Sequence, residues 1–267
     1  MRITQASLPF TPWADRGLAS LPGMQPVPQG AWLQVDDAYG AQMQRRTDLL
    51  AQKPEQVCAM LPTAASAVLE MLEQVVGDLG KRDGFAVGPD SVSCPDGRHV
   101  VRDTQRPLET LCGLVQEDFC VLQEDPDSKS HVLTAAILCF PASWTLAEKM
   151  GRPLIGIHDT VEEYDDTLAR RVQRLFDVLR VGQPLWRANA LVYAEPELFQ
   201  PRPGGVRRAQ PTGDGLFLRS ERQSLLRLPV SRAVVFSIHT YVVPLEALTA
   251  QQKQSLLRSP LGAGLEL

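Results

Sequence analysis

Chemistry in this chain concentrates in two stretches. The first is Gly151–Arg180, where a short apolar run, Leu154–Ile157, ends on His158. Thr160 and Glu163 then form a capping-box pattern: the hydroxyl accepts from an early helical N–H and the carboxylate reaches back to the cap N–H. Apolar residues follow at Tyr164, Leu168, Val172, Leu175 and Leu179 with charges between them, and Gly182 is a stop. The spacing predicts a buried strand or loop that hands over to an amphipathic helix, with a histidine at the junction. An imidazole placed there presents a ring nitrogen to a cavity, or is satisfied by local hydrogen bonds. Position alone leaves both readings open.

The second stretch is a pair of strands near the C-terminus. Residues 216–228 and 233–243 flank a turn at 229–232, the pattern of a β-hairpin. Its first strand is unusually charged. Alternation puts Arg219, Glu221 and Gln223 on one side, and Ser220, Arg222 and Ser224 on the other. Facing inward, an arginine beside a glutamate needs several hydrogen bonds to offset desolvation. A guanidinium fork also suits a carboxylate ligand. Facing outward, the same residues make cross-strand ion pairs. On the second strand Val234, Phe236 and Ile238 share one side; Val235, Ser237, His239 and Tyr241 share the other.

The standard catalytic fingerprints are missing. There is no GxGxxG, GxxxxGK[ST], HExxH or GxSxG, and Ser143 and Ser224 lack a nucleophile-elbow context. His158 and Asp159 are neighbours whose side chains do not normally face each other, so they form no dyad. The five cysteines, Cys58, Cys94, Cys112, Cys120 and Cys139, contain no CxxC pair. They read as reduced, core-filling thiols; Cys112 and Cys120 on a metal is the minor alternative.

The positioning elements come next. Residues 1–30 are proline-rich and predict an extended arm anchored by Phe10, Trp13 and Leu18, or a partly disordered one. Residues 31–267 then form one large domain. A helix is expected from Asp36 or Asp37 to Leu50, and another over 63–79 capped by Thr63 and stopped by Gly80. Residues 81–108 read as a connecting loop with an exposed His99. A short helix is expected within 108–120. Buried strands follow at 119–122 and 132–140, then a short helix over 141–151. A strand is expected at 187–193, a Gly/Pro-rich lid-like loop at 200–215, and a last helix at 245–257. Strands joined by hairpins with one long inserted helix define an α+β fold around an antiparallel sheet.

Composition bounds the function. The chain has 267 residues, 44% of them hydrophobic, and a formal net charge of −4. A small acidic excess argues against a broad nucleic-acid surface. No apolar run approaches a membrane span, and the N-terminus lacks the apolar core of a signal peptide, so the expected location is cytoplasmic.

Three blocks carry a family resemblance: CFPASWTLAEKMGRPLIGIHDTVEEY from Cys139, WRANALVY from Trp186, and LFLRSERQSLLRLPVSRAVVFSIHTYVVPL from Leu216. Together they resemble the haem-dependent oxidative N-demethylase α-subunit-like family, across about residues 30–250. The resemblance implies a PAS-like fold holding haem b, and oxidation of a small methylated amine with O2. Electrons then come from flavin/iron–sulfur reductase subunits on other chains. It implies His158 as the axial iron ligand. Arg219 and Glu221 become catalytic groups of the pocket, and Arg222, Arg187, Asn189 and Phe236 further cofactor contacts. His239 is the rival ligand. Asp159-Thr160-Val161 and Ala190 depart from the family pattern, which has proline–valine–proline after the histidine and tryptophan after the asparagine. These departures bear on the ligand environment and the substrate pocket. Two other readings stand beside the oxygenase: a haem sensor or electron-transfer module without turnover, and a haem-free binding scaffold.

Overall fold

Alternating apolar residues in the C-terminal hairpin make the centre of a large sheet. In a computed structural model, which describes residues 2–19, 23–157, 166–204, 206, 211 and 213–265, the elements run in this order. A turn of helix α1 (Arg16–Ala19) and strand β1 (Gln25–Pro26) lead to α2 (Tyr39–Gln52), α3 (Pro54–Val57), β2 (Cys58–Met60) and α4 (Ala65–Leu79). Next are β3 (Ala86–Val87), β4 (Ser91–Ser93), β5 (His99–Val101), α5 (Pro107–Leu114), β6 (Asp118–Glu124) and β7 (His131–Ile137). The chain continues through α6 (Leu146–Lys149), α7 (Leu154–Ile157), α8 (Asp166–Val178), β8 (Leu185–Ala188) and β9 (Leu191–Tyr193). It closes with β10 (Phe217–Arg227), β11 (Val234–Pro244) and α9 (Ala250–Leu257).

The main sheet is antiparallel in the order β1-β8-β10-β11-β6-β7-β2, with β9 also on β10. This is the expected α+β architecture around an antiparallel sheet. The hairpin pairs Phe217 with Pro244 through to Arg227 with Val234, without a bulge. Its two sides differ. Leu218, Ser220, Arg222, Ser224 and Leu226, with Val235, Ser237, His239, Tyr241 and Val243, are all buried; we call this the closed face. On the opposite side Glu221, Gln223 and Phe236 are only half-buried; we call this the open face.

Helices α2, α4 and α5 cover the closed face at one end. Val68, Leu72, Val75, Val76 and Leu79 of α4 join Leu226 and Val235 there in one cluster. The N-terminal arm and α9 cover the other end, where Phe10 meets Tyr241 edge-on at 5.2 Å and Leu8 joins Leu218 and Val243. Strand β1 adds to the sheet edge, pairing Gln25 with Trp186. The open face is covered at one end by Leu146, Leu154, Phe176 of α8 and Leu179 just after it, packed on Leu225 and Val234.

Several local expectations change. Thr63 is not a cap: it lies in a 3-10 turn, and Ala64 precedes α4 with no side-chain bond. The region 81–108 holds a three-stranded sheet, β3-β4-β5, whose strands of two or three residues are too short for alternation to register. His99 is exposed, as expected. The helix expected over 141–151 is confined to α6. Leu154–Ile157 is a helical turn rather than a strand, because four apolar residues after a proline carry no decisive period. Residues 158–165, with the Thr160/Glu163 pattern, lie outside the described residues. The last helix starts at Ala250, where Thr249 and Gln252 form the capping box, and only a 3-10 turn occupies Leu245–Ala247.

A buried imidazolium fastens the arm and the start of α2 to the closed face. His239 Nε2 lies 2.9 Å from Asp36 Oδ2, and Nδ1 lies 3.3 Å from Glu117 Oε1. Burial alone would lower the histidine, but the two carboxylates raise it to about 9. Asp36 is pushed up by burial but held below its ordinary value by His239, Gln116 and Gln5. Gln5 completes the fastening: its N–H donates to Val242 O at 3.0 Å and its Oε1 accepts from Val242 N at 2.7 Å. The folded histidine binds its proton more tightly than the unfolded one, so its contribution is fully present below about pH 6.5. It is lost as pH rises through about 9. The melting temperature should therefore fall between pH 7 and 10, and His239→Gln should start lower and fall less. A wild-type midpoint flat across that range would refute the charged clamp.

Candidate functional site

On the open face, β8 and β9 lie beside β10 in one register, Gln223 opposite Arg187 and Arg219 opposite Leu191. The strand expected at 187–193 is therefore split at Asn189–Ala190 without a register shift. Asn189 causes the split. Its N–H still donates to Glu221 O at 3.1 Å, but Glu221 N donates to the Asn189 side-chain Oδ1 at 3.0 Å instead of to its carbonyl. The freed Asn189 carbonyl accepts from Ser220 Oγ. Asn189 Nδ2 then donates to Glu221 Oε2 at 3.2 Å, and Gln223 Nε2 donates to the same oxygen at 2.9 Å. One asparagine thus breaks the ladder and aims a carboxylate.

Arg219 is fixed differently. It is 2% exposed, and its Nη1 and Nη2 donate to Leu198 O at 3.0 Å and Phe140 O at 2.7 Å. Its guanidinium stands 5.7 Å from the Tyr193 ring centroid. Among the described residues its buried Nε has no hydrogen-bond partner, and neither has the buried Nε of Arg187. Burial lowers the Arg187 guanidinium, and the charge of Glu221 partly offsets this. Ala142, Asn189, Leu191, Tyr193, Arg219 and Glu221 enclose a cavity of about 60 Å³. Farther along the same face are Leu185, Leu225 and Phe236. From Leu225 to Arg219 the face runs about 20 Å, at about 3.3 Å per residue.

The fold thus gathers Arg187, Asn189, Arg219, Glu221 and Phe236 on one face. Arg222 points the other way. Its Nη1 and Nη2 donate to Trp32 O at 3.0 Å and Ala31 O at 2.8 Å, and it stacks over Trp186 at 4.9 Å. It ties the arm to the closed face and shares no pocket with Glu221. His239 is also on the closed face, with both ring nitrogens held by carboxylates, so neither offers a lone pair to a metal. His158 lies outside the described residues; Ile157, just before it, packs into the open-face cluster. The alternation missed the Asp36–His239–Glu117 triad, because its members lie far apart in sequence, and it missed Arg187's unpartnered Nε, because a pattern of residue types does not show which side-chain atoms find partners.

Cys112 and Cys120 belong to separate clusters on opposite sides of the sheet, which removes the metal pair they might have made. Of the loop at 200–215, residues 205, 207–210 and 212 lie outside the described residues; Gly204 N donates to Glu148 Oε1 at 3.1 Å.

A half-open antiparallel face of this α+β fold thus carries two orphaned guanidinium nitrogens, an aimed carboxylate and an apolar continuation, a set of groups that could hold an apolar ligand with anionic substituents. The haem-dependent oxidative N-demethylase, alpha subunit-like family covers residues 23–262, and the chain belongs to that family. The family name carries haem dependence and the relation to an α-subunit of a larger enzyme. Among the described residues no helix is long and apolar enough to cross a membrane.

The geometry separates the three charged residues. Glu221→Gln keeps both side-chain hydrogen bonds feasible at a half-buried position, so stability should change by less than about 0.5 kcal/mol. Arg222→Gln strands two buried carbonyls and should lose about 1–3 kcal/mol in urea unfolding. Equal losses in the two variants would refute this division.

Proposed function

We propose that this chain is the haem-binding component of an oxidative N-demethylating system, with one b-type haem held on the open face of a PAS-like sheet. The observation that carries the reading is the pair of buried Arg187 and Arg219 nitrogens without partners, beside an apolar stretch on the same face. An unpaired guanidinium in a desolvated site calls for an anion, and a carboxylate matches its fork. Arg187 is assigned to a propionate. Leu185, Leu225 and Phe236 form one apolar wall. The 60 Å³ cavity is far below the about 300–1,000 Å³ of ligand pockets, so the described residues supply one side of the slot and not its whole. His158 would supply the imidazole that holds the iron. With no CxxCH in the sequence, attachment is non-covalent.

Bound haem supplies the iron chemistry that activates O2. The chain's own residues do the rest. Glu221, held by Asn189 and Gln223, offers a carboxylate to a cationic methylated amine and accepts a proton from its nitrogen. Arg219, anchored by two carbonyls, keeps its position as charge changes beside it. Electrons come from flavin/iron–sulfur reductase subunits, and the assembly works in the cytoplasm.

The test is spectroscopic. Purified protein supplied with hemin should show a Soret band. His158→Ala should shift it and weaken haem retention; His239→Ala should lower stability while leaving the spectrum of the folded fraction near wild type. A protein that takes up no hemin refutes the haem reading and favours a scaffold. The opposite behaviour of the two variants refutes the ligand assignment. Haem binding without turnover on any methylated amine, reductant supplied, favours the sensor.

A further inference from the structure

Two thiols meet in the core beside the segment that leads to the open-face cavity. Cys112, near the end of α5, and Cys139, just past β7, have Sγ atoms 3.5 Å apart. They are 1% and 0% exposed. Arg46 of α2 lies against Cys112: its Nε donates to Cys112 O at 3.3 Å, and Cys112 Sγ approaches Arg46 O at 3.9 Å. Asp118, paired with Arg46 at 2.6 Å, accepts from Cys139 N at 2.8 Å and Phe140 N at 2.7 Å.

The two sulfurs are electrostatically unequal. The hydrogen bond from Cys139 brings the Cys112 thiol below its ordinary value; burial opposes this and Arg46 assists it. Burial pushes Cys139 up, and the bond to Cys112 adds to the rise. A sulfur disposed to ionise, with a neighbouring thiol in contact and a guanidinium beside it, is the arrangement of a dithiol that closes on oxidation. The other cysteines lack it: burial raises Cys120 and Cys94, and it raises Cys58 to about 12.

We propose that Cys112 and Cys139 are a redox site that closes to a reversible disulfide under hydrogen peroxide. The Cys112 thiolate attacks one peroxide oxygen; the O–O bond breaks and hydroxide leaves, giving a sulfenic acid. Cys139 sulfur then attacks that sulfur, the S–S bond forms, the S–O bond breaks, and water leaves with the Cys139 proton. Two electrons pass from the sulfurs to the peroxide. Because neither sulfur is exposed, the step waits on opening of the α2–α5 contact and is slow. The cross-link joins α5 to the start of residues 139–142, where Phe140 O holds Arg219 and Ala142 lines the cavity. The inference stands whether or not haem is bound.

The experiment treats the full-length protein, as purified, with hydrogen peroxide and maps its thiols by mass spectrometry. The expected result is a mass loss of two hydrogens, a linked Cys112–Cys139 peptide, unmodified Cys94 and Cys120, and reversal by dithiothreitol. Closing this loop should also raise the melting temperature by several degrees. In Cys139→Ser, dimedone should trap a sulfenic acid at Cys112; if that variant does not fold, the wild-type map alone decides. An unchanged mass, a link through Cys58, or oxidation of both thiols to sulfinic acids overturns the assignment.

Discussion

The ion pair between Arg46 and Asp118 is the contact on which the site's placement depends. Both side chains are fully enclosed, so each needs the other's charge and further hydrogen bonds, although Arg46 Nη2 has no partner among the described residues. Arg46 also donates to Cys112 O and Gln116 O, and Asp118 accepts from Cys139 N and Phe140 N. One guanidinium on α2 therefore fixes the end of α5, the start of β6 and the exit of β7. Phe140 is the next link, because its carbonyl accepts from Arg219 on β10. A helix near the N-terminus thus sets, through three contacts, where a strand near the C-terminus holds its arginine. Removing one partner of such a pair leaves a buried charge uncompensated and costs about 3–5 kcal/mol.

The hairpin explains how one charged strand serves two purposes. With a period of two, every second residue of β10 faces the closed side. There Ser220, Arg222 and Ser224 meet carbonyls and hydroxyls, and each described bond has a structural partner: Arg222 with Ala31 and Trp32, Ser237 with Trp32. The other residues face the open side, where Arg219 and Arg187 each keep a nitrogen unused. Polar groups on the closed side stitch the arm to the sheet. Polar groups on the open side are left over, and leftover buried donors call for an explanation outside ordinary packing.

Alternation and helical spacing made much of this legible. The hairpin, α4 and the separation of Glu221 from Arg222 follow from periods of two and about 3.6 in the residues themselves. The strands β3, β4 and β5 did not register, since two or three residues cannot display a period. The Asn189 break was invisible because it depends on a side-chain amide replacing a carbonyl in the ladder. His239 was harder still. Mid-strand it reads as a packed histidine or a rival ligand, and only Asp36 and Glu117, 203 and 122 residues away, fix its charge. Contacts at such separations leave no trace in a local pattern.

Under the proposed haem reading, the histidines can be sorted by what the iron contact would ask for: a neutral ring, one free nitrogen, and a place on the open face. His239 fails on all three counts. His99 sits exposed on the small sheet, bonded to Ser93 Oγ at 3.0 Å. His131 is held below its ordinary value by burial and by Arg227, and its Nε2 has no partner among the described residues. Yet it lies under Phe176, ring centroids 5.2 Å apart, with Nδ1 3.0 Å from Gln173 of α8. The order β8-β10-β11-β6-β7 sets it four strands from Arg187, about 19 Å at about 4.8 Å per strand. A porphyrin whose propionate met Arg187 would have to displace the packed core of α8 to reach His131. The chain has four histidines, and the fourth is His158. It lies outside the described residues, directly after Ile157, which packs against the open-face cluster, and its proposed role as iron ligand rests on the family resemblance together with the structural partners that occupy His239 and His131.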